Sequence, residues 1–285
     1  RALGEPRSPV RRTTLLVLAY RQEKSLKEAL KSWDKNGLLS FVDERIIFFQ
    51  NCATCASGIA PPSFRNLLEI TNFKVIGSEG NVGISKALAS LVERSTSQYV
   101  IFLEEDWQLV EDPTVELNAA MESLMNNTVD MVKLRHSKHP GHPYCSSIWK
   151  GYEHLMVTSG TDGQLSVLNA AAWQENDELV KAYFGENVWR CSGAHSRLLC
   201  STSPFSAWTN NPSIFPRSWF LKFLHKAALA AAQFESAINL SPHLWNERCF
   251  HIGQGTGLFS HVDLDKDPSS QSPCEVPLTV QRASV

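Results

Sequence analysis

An α/β fold, with a mostly parallel central sheet and helices on both faces, is predicted by three observations. Apolar runs of strand length alternate along the chain with segments that have helical spacing. One of these runs, residues 99–103, is apolar at every position rather than at every second one, as a parallel strand covered on both faces requires. The intervening segments gather their apolar residues on one helical face, as crossover helices packed on such a sheet must.

The first strand is "TTLLVLA", residues 13–19. "EKSLKEALKSW" follows and sets Leu26, Ala29, Leu30 and Trp33 on one side of a helix. "RIIFFQ" (45–50) and "FKVIG" (73–77) are the second and third strands. A second amphipathic helix, "ISKALASLVERS", aligns Ile84, Ala87, Leu88, Leu91 and Val92. "YVIFL" (99–103) is the fourth strand. Beyond Asp130 the pattern loosens: "MVKLRHSKHPGHPY" is rich in His and Pro, and 185–215 is loop-rich and aromatic. These readings divide the chain into a tail (1–12), one domain (13–265) with a nucleotide-type half (13–130) and a mixed half (131–265), and a second tail (266–285).

The bulk properties narrow the function classes. With 285 residues, 43% hydrophobic and 20% charged, the chain is long enough for a sizeable core. A formal net charge of −2 gives no basic field, so nucleic acid is not an expected partner. No run approaches the roughly 20 apolar residues of a membrane helix; Ala227–Ala232 is too short and is flanked by Lys226 and Gln233. The first residue is Arg1, which leaves open an anchor removed upstream. Seven cysteines, at 52, 55, 145, 191, 200, 249 and 274, leave at least one thiol over if all disulfides are internal. Cys52-x-x-Cys55 is open to zinc, redox chemistry or a disulfide. Asn126-Asn127-Thr128 is a glycosylation sequon.

The chemistry begins where the fourth strand runs into Glu104, Glu105 and Asp106. Adjacent carboxylates repel and lose solvation near a core, so a compensating cation is expected. Ligands of α/β sheets bind beyond the carboxyl ends of the strands, where these acids fall. Strand alternation would turn Glu104 and Asp106 to one side and Glu105 away. Two readings fit: oxygen ligands for a divalent ion that bridges phosphates, or an acidic cap on a following helix. "GSEGNVGISKAL", residues 77–88, is a Gly-rich turn opening a helix, where backbone N–H groups can accept an anion. Its glycines lack the dinucleotide spacing, and no P-loop Lys-Ser/Thr pair occurs.

In order, "TTLLVLAYRQEKSLKEALKSW", "EGNVGISKAL" and "YVIFLEEDW" resemble the donor half of inverting glycosyltransferases of the GT-A fold, which is Rossmann-like. The acids resemble that family's Asp-x-Asp metal motif, and the Glu-Glu-Asp form is close to that of N-acetylglucosaminyltransferases of protein-linked glycans. Later, "NNPSIFPRSWF" resembles an acceptor-side loop, "FESAIN" the catalytic acidic motif, and "ERCFHIGQGTG" a late strand ending in His-Ile-Gly, so the likeness spans 13–262.

The resemblance implies that Ala19, Tyr20 and Arg21 line the nucleoside pocket, with Asn51 at the next strand end. It implies that Asn81 and Lys86 lie near the base or diphosphate, that Glu104 and Glu105 belong to the donor site, and that Asp106 and His251 bind the metal. Asn211 and Ser213 would shape the acceptor pocket. Glu235 would be the base; the family usually shows an acidic pair there, whereas here Ser236 follows, and Glu186 and Asp162 are the alternatives. The implied function is metal-dependent, inverting transfer of a sugar from a nucleotide-diphosphate donor, uridine-linked by preference, to a hydroxyl of a glycan or glycoprotein. Manganese is the expected ion, ahead of magnesium. The expected compartment is the Golgi or another part of the secretory lumen, with the cytoplasm as alternative.

Two other classes compete. A sugar nucleotidyltransferase would carry a Gly-rich loop with Arg and Lys after strand one, but "AYRQEKS" has no glycine. A non-catalytic binding module would dispense with the metal acids, which this chain keeps. Among other conspicuous residues, His136, His139 and His142 are spaced by three, but Pro140, Gly141 and Pro143 break any helix that would align them, which favours an acceptor-side loop. Trp107, Trp149, Trp208 and Trp219 suit either sugar stacking or core filling. No Gly-x-Ser-x-Gly elbow surrounds Ser196.

Overall fold

The computed structural model describes residues 12–136, 187–191, 198–210, 212–231, 233–239 and 241–262. The tails 1–11 and 263–285 lie outside them, as do Asn211, Glu186, Asp162, His139, His142, Trp149, Cys145 and Cys274.

The first half runs β1 (Thr13–Ala19), α1 (Glu23–Lys35), α2 (Leu38–Phe41), β2 (Glu44–Phe49), α3 (Ala53–Ala56), α4 (Arg65–Ile70), β3 (Lys74–Gly77), α5 (Gly83–Arg94) and β4 (Tyr99–Glu104). It continues through β5 (Trp107–Leu109) and α6 (Thr114–Met125) to β6 (Met131–Arg135). Then come β7 (Trp189–Arg190), β8 (Leu199–Thr202), β9 (Ser213–Pro216), α7 (Arg217–Phe223), α8 (His225–Ala230), α9 (Phe234–Asn239) and β10 (His251–His261).

One sheet joins both halves in the order β3-β2-β1-β4-β9-β6-β10-β8-β7, with β5 paired to β10. The strands β3, β2, β1 and β4 are parallel neighbours. The antiparallel β9 is inserted between β4 and β6, and β6 is again parallel to β10. The α/β architecture expected from the sequence is therefore observed, with a parallel first half and a mixed second half.

Alternate residues of the strands feed two cores. Leu15, Val17, Ile101, Leu103, Val132 and Ile214 face α1 and α6, where Leu26, Leu30, Trp33, Leu117 and Leu124 pack on them. Leu16, Leu18, Val100, Phe102, Met131 and Phe215 face the other way, onto Leu88 and Val92 of α5, Phe220 of α7, and Phe234 and Ile238 of α9. Each fully buried aliphatic or Phe side chain contributes about 1.5–3 kcal/mol, which makes burial on both faces the main force holding the sheet. Trp107, Trp208 and Trp219 are buried in these cores, so core filling accounts for them. No helix among the described residues is long and apolar enough to cross a membrane.

Two disulfides form among the described residues, Cys52–Cys55 and Cys191–Cys200, while Cys249 is free and exposed. This settles the open reading of Cys52-x-x-Cys55 in favour of a disulfide. Gly77 is required beside it, since a Cβ there would meet both Cys55 Cβ and Phe49 O at 2.6 Å.

Candidate active site

The carboxyl ends of β1 and β4 are neighbours because the two strands pair in parallel, Leu18 opposite Glu104. The β1 chain leaves through Ala19, Tyr20 and Arg21, with Arg21 in the left-handed region (φ 63°) and its guanidinium 5.1 Å from the Tyr20 ring centre. Tyr20 N–H donates to Glu105 Oε1 at 2.7 Å. Glu105 is buried and faces the β1 turn, where it is tied to Tyr20 rather than turned away from the donor-side residues.

Asp106 is placed from two sides. From α1, Ser32 Oγ accepts from Leu109 N at 3.0 Å, Trp33 Nε1 donates to Trp107 O at 2.8 Å, and Asn36 Nδ2 donates to Leu109 O at 2.9 Å. On the other side β5 pairs with the end of β10, His261 opposite Trp107, and Val262 N donates to Asp106 O at 2.8 Å. This brings His261 Nε2 within 2.8 Å of Asp106 Oδ2 and its ring within 4.9 Å of Trp107. Asp106 Oδ1 and His261 Nδ1 are buried without a hydrogen-bond partner.

The strand β10 reaches this point through a bulge. Its register against β6 jumps between Gln254 and Phe259. Gly257 sits there at φ 80°, its N–H donating to Glu116 Oε1 at 3.0 Å; a Cβ at this position would run into the Arg135 carbonyl. The bulge thus carries His261 past the end of β6.

His251 is not part of this cluster, which corrects the expectation from sequence. It begins β10 rather than ending a strand; its carbonyl accepts from Asp130 N at 2.7 Å and its N–H donates to Asp130 Oδ2 at 2.8 Å, just before β6. It therefore lies at the amino ends of the two parallel strands. Measured along β6, the separation from His261 is roughly 20 Å at a strand rise of about 3.3 Å per residue.

Glu235 stands at the start of α9 with an exposed carboxylate, and its Oε1 accepts from Asn210 N at 2.5 Å. It is near enough to Glu104 to act on it electrostatically. Glu104 occupies the same sheet face as Phe102. Burial, then Asp106, Glu105 and Glu235 in that order, hold its carboxyl well above the usual value of 4.5. Ser213 is buried in register with Phe102 on one side and Lys133 on the other, its Oγ unpaired.

Asn51, Asn81 and Lys86 are exposed, further along the same edge beyond β2 and β3. Asn51 has φ 55°, and the loop is held instead by its buried neighbour Gln50. Gln50 Oε1 accepts from Val82 N at 2.9 Å and Gly83 N at 3.0 Å, and Asn81 Oδ1 also accepts from Gly83 N, at 2.8 Å. These two N–H groups at the opening of α5 are therefore already engaged by the protein, which leaves them no role in binding an anion.

The accumulation of negative charge has a measurable consequence. A carboxyl whose folded value is raised binds its proton more tightly in the native state. Its destabilising effect sets in as pH rises through 4.5, where the unfolded chain ionises, and is complete above the raised native value. Glu104→Gln is thus expected to raise the urea midpoint of the metal-free protein at pH 7 and to leave it unchanged at pH 4.

No protein-family model matches the chain, and no curated protein matches it. Solved structures similar to it include S. aureus TarS 1–349 in complex with UDP, with a TM-score of 0.49 and 13% identity, covering 87% of this chain and 60% of that one. The same protein with UDP-GlcNAc gives a TM-score of 0.48 and 14% identity, over 92% of this chain and 62% of that one. Glucosyl-3-phosphoglycerate synthase from Mycobacterium tuberculosis, in complex with Mn2+, UDP and glucosyl-3-phosphoglycerate, gives a TM-score of 0.45 and 11% identity, over 91% and 78%. This chain spans 60% of the length of the first of these.

Proposed function

We propose that this protein is a metal-dependent glycosyltransferase of GT-A type, moving a sugar with inversion from a nucleotide-diphosphate donor to a hydroxyl of a glycan or glycoprotein. A uridine-linked donor is the favoured form. The reading is carried by one observation: Asp106 keeps a buried, unpaired oxygen beside His261 at the carboxyl edge of the parallel strands. Such an oxygen carries a desolvation cost that a cation would relieve.

Asp106 and His261 form an O/N pair suited to a divalent ion, with manganese ahead of magnesium. Among the described residues no three His, Cys, Asp or Glu side chains form a complete metal site, so diphosphate and water oxygens would complete the coordination. When bound, the ion supplies charge neutralisation for the departing diphosphate. Tyr20 and Arg21 line the donor side, and Glu105 fixes their turn. Glu235 takes the proton from the acceptor hydroxyl. Ser213, with Asn211, belongs to the acceptor side. The two disulfides favour an oxidising compartment, in keeping with the secretory lumen.

A non-catalytic nucleotide-sugar-binding module is the second reading. It is favoured by the engagement of Asp106 Oδ2 with His261, which gives the pair a structural role of its own. Incubation with UDP-glucose, UDP-GlcNAc, UDP-galactose and GDP-mannose, with Mn2+ or with EDTA, separates the two. The enzyme should release nucleotide from at least one donor only in the presence of Mn2+. Binding without any release in every case would favour the module.

A further inference from the structure

The centre of β6 carries a buried lysine. Lys133 is 2% exposed and follows Met131, which belongs to the second core. Its register partners are Ser213 on β9 and Gln254 on β10, also buried, and both Ser213 Oγ and Gln254 Oε1 lack hydrogen-bond partners. An ammonium group has three donors. Among the described residues the one hydrogen bond made by Lys133 goes to Ala207 O, at 2.8 Å.

That bond connects the lysine to Glu235. Ala207 and Asn210 belong to one short loop, and Asn210 N donates to Glu235 Oε1. Between them Trp208 is clamped by Asn239 of α9, with Trp208 N donating to Asn239 Oδ1 at 2.8 Å and Asn239 Nδ2 donating to Trp208 O at 2.9 Å. Loop and helix are thus held as a unit, with the ammonium at one end and the carboxylate at the other. A fold does not bury a lone lysine cheaply, and packing gives no reason for one here, since a methionine would fill the same space.

We propose that Lys133 is a positioning residue for Glu235, holding the 207–210 loop from beneath and setting a positive charge against the acceptor-side carboxylate. The inference rests on the glycosyltransferase reading. Burial lowers the ammonium to about 7, with Glu235 pulling it back up. The charged group that acts on it is Glu235 from α9; Arg135, two residues along β6, holds its guanidinium 5.0 Å from the Trp107 ring centre, and β9 and β10 present the neutral Ser213 and Gln254. A group titrating there changes charge in the range in which a general base works.

The test needs no knowledge of the acceptor. The Lys133 side chain, labelled with 13C and 15N, is titrated by NMR in the wild type and in Glu235→Gln. A midpoint near neutrality that falls further in the variant is expected; the same midpoint in both overturns the proposal, as does a midpoint near 10. Kinetically, Lys133→Met should lower donor turnover about tenfold or more with the donor KM unchanged, and should flatten the pH profile around neutrality. Normal turnover with a normal profile also overturns it. Should Lys133→Met fail to fold, the titration decides alone. If Glu235→Gln abolishes turnover while the lysine midpoint stays fixed, only this inference falls. If the midpoint shifts while Glu235→Gln turns over donor normally, the coupling stands and the assignment of Glu235 as base falls.

Discussion

Asp106→Ala is expected to lower sugar-nucleotide turnover by at least about 10²-fold, with the fold retained. The carboxylate has two roles that substitutions can separate. Its Oδ2 accepts from His261, whereas its Oδ1 is buried and unpaired. Asp106→Asn keeps a side-chain carbonyl for His261 and removes the charge. A structural Asp–His pair would tolerate Asn well. A metal ligand would not, because a neutral amide oxygen leaves an ion beside a diphosphate poorly compensated. Both variants should therefore be inactive, with far-UV dichroism and melting close to wild type. Nucleotide release at saturating Mn2+ is the measurement. An active Asp106→Asn would assign the residue to structure.

Glu235→Gln is the second large effect, a fall in turnover of about 10²–10⁴-fold with UDP affinity unchanged. The substitution is informative because the amide retains an oxygen acceptor for Asn210 N, so the loop and α9 keep their geometry while the proton acceptor is lost. A retained rate would send the search for the base to another acid. Since Glu235 also raises the Glu104 carboxyl, removing its charge should bring that carboxyl closer to its usual value. A parallel loss of UDP binding would mean that Glu235 belongs to the donor pocket.

Much of the first half was legible because its signals are local. The apolar run of β1, the periodicity of α1 and α5, and the acids closing β4 each lie within a dozen residues. The carboxyl-end rule then places Tyr20 and the acids together. What was not legible depends on contacts between distant segments. The insertion of β9 between β4 and β6 brings Ser213 to Lys133, and no local pattern encodes it. His261 was missed because its place depends on a bulge at Gly257 and on β5, a strand of three residues. Once β10 is known to run parallel to β6, the histidine at its carboxyl end, rather than the one at its start, meets the acids. Lys133 also leaves a trace, as a cation at the middle of "MVKLR" with Arg135 closing the strand, where only apolar residues match a buried strand. Gln50, rather than Asn51, holds the loop, and two adjacent amides are indistinguishable in sequence until the strand end is fixed.

The most direct test of the central claim is calorimetric titration of UDP into the wild-type protein with Mn2+ and again with EDTA, repeated on Asp106→Ala. Binding to the wild type that weakens by an order of magnitude or more in EDTA, and that loses its Mn2+ dependence in the variant, is the predicted result. UDP binding of equal strength with and without Mn2+, the same in both proteins, would contradict a metal held by Asp106.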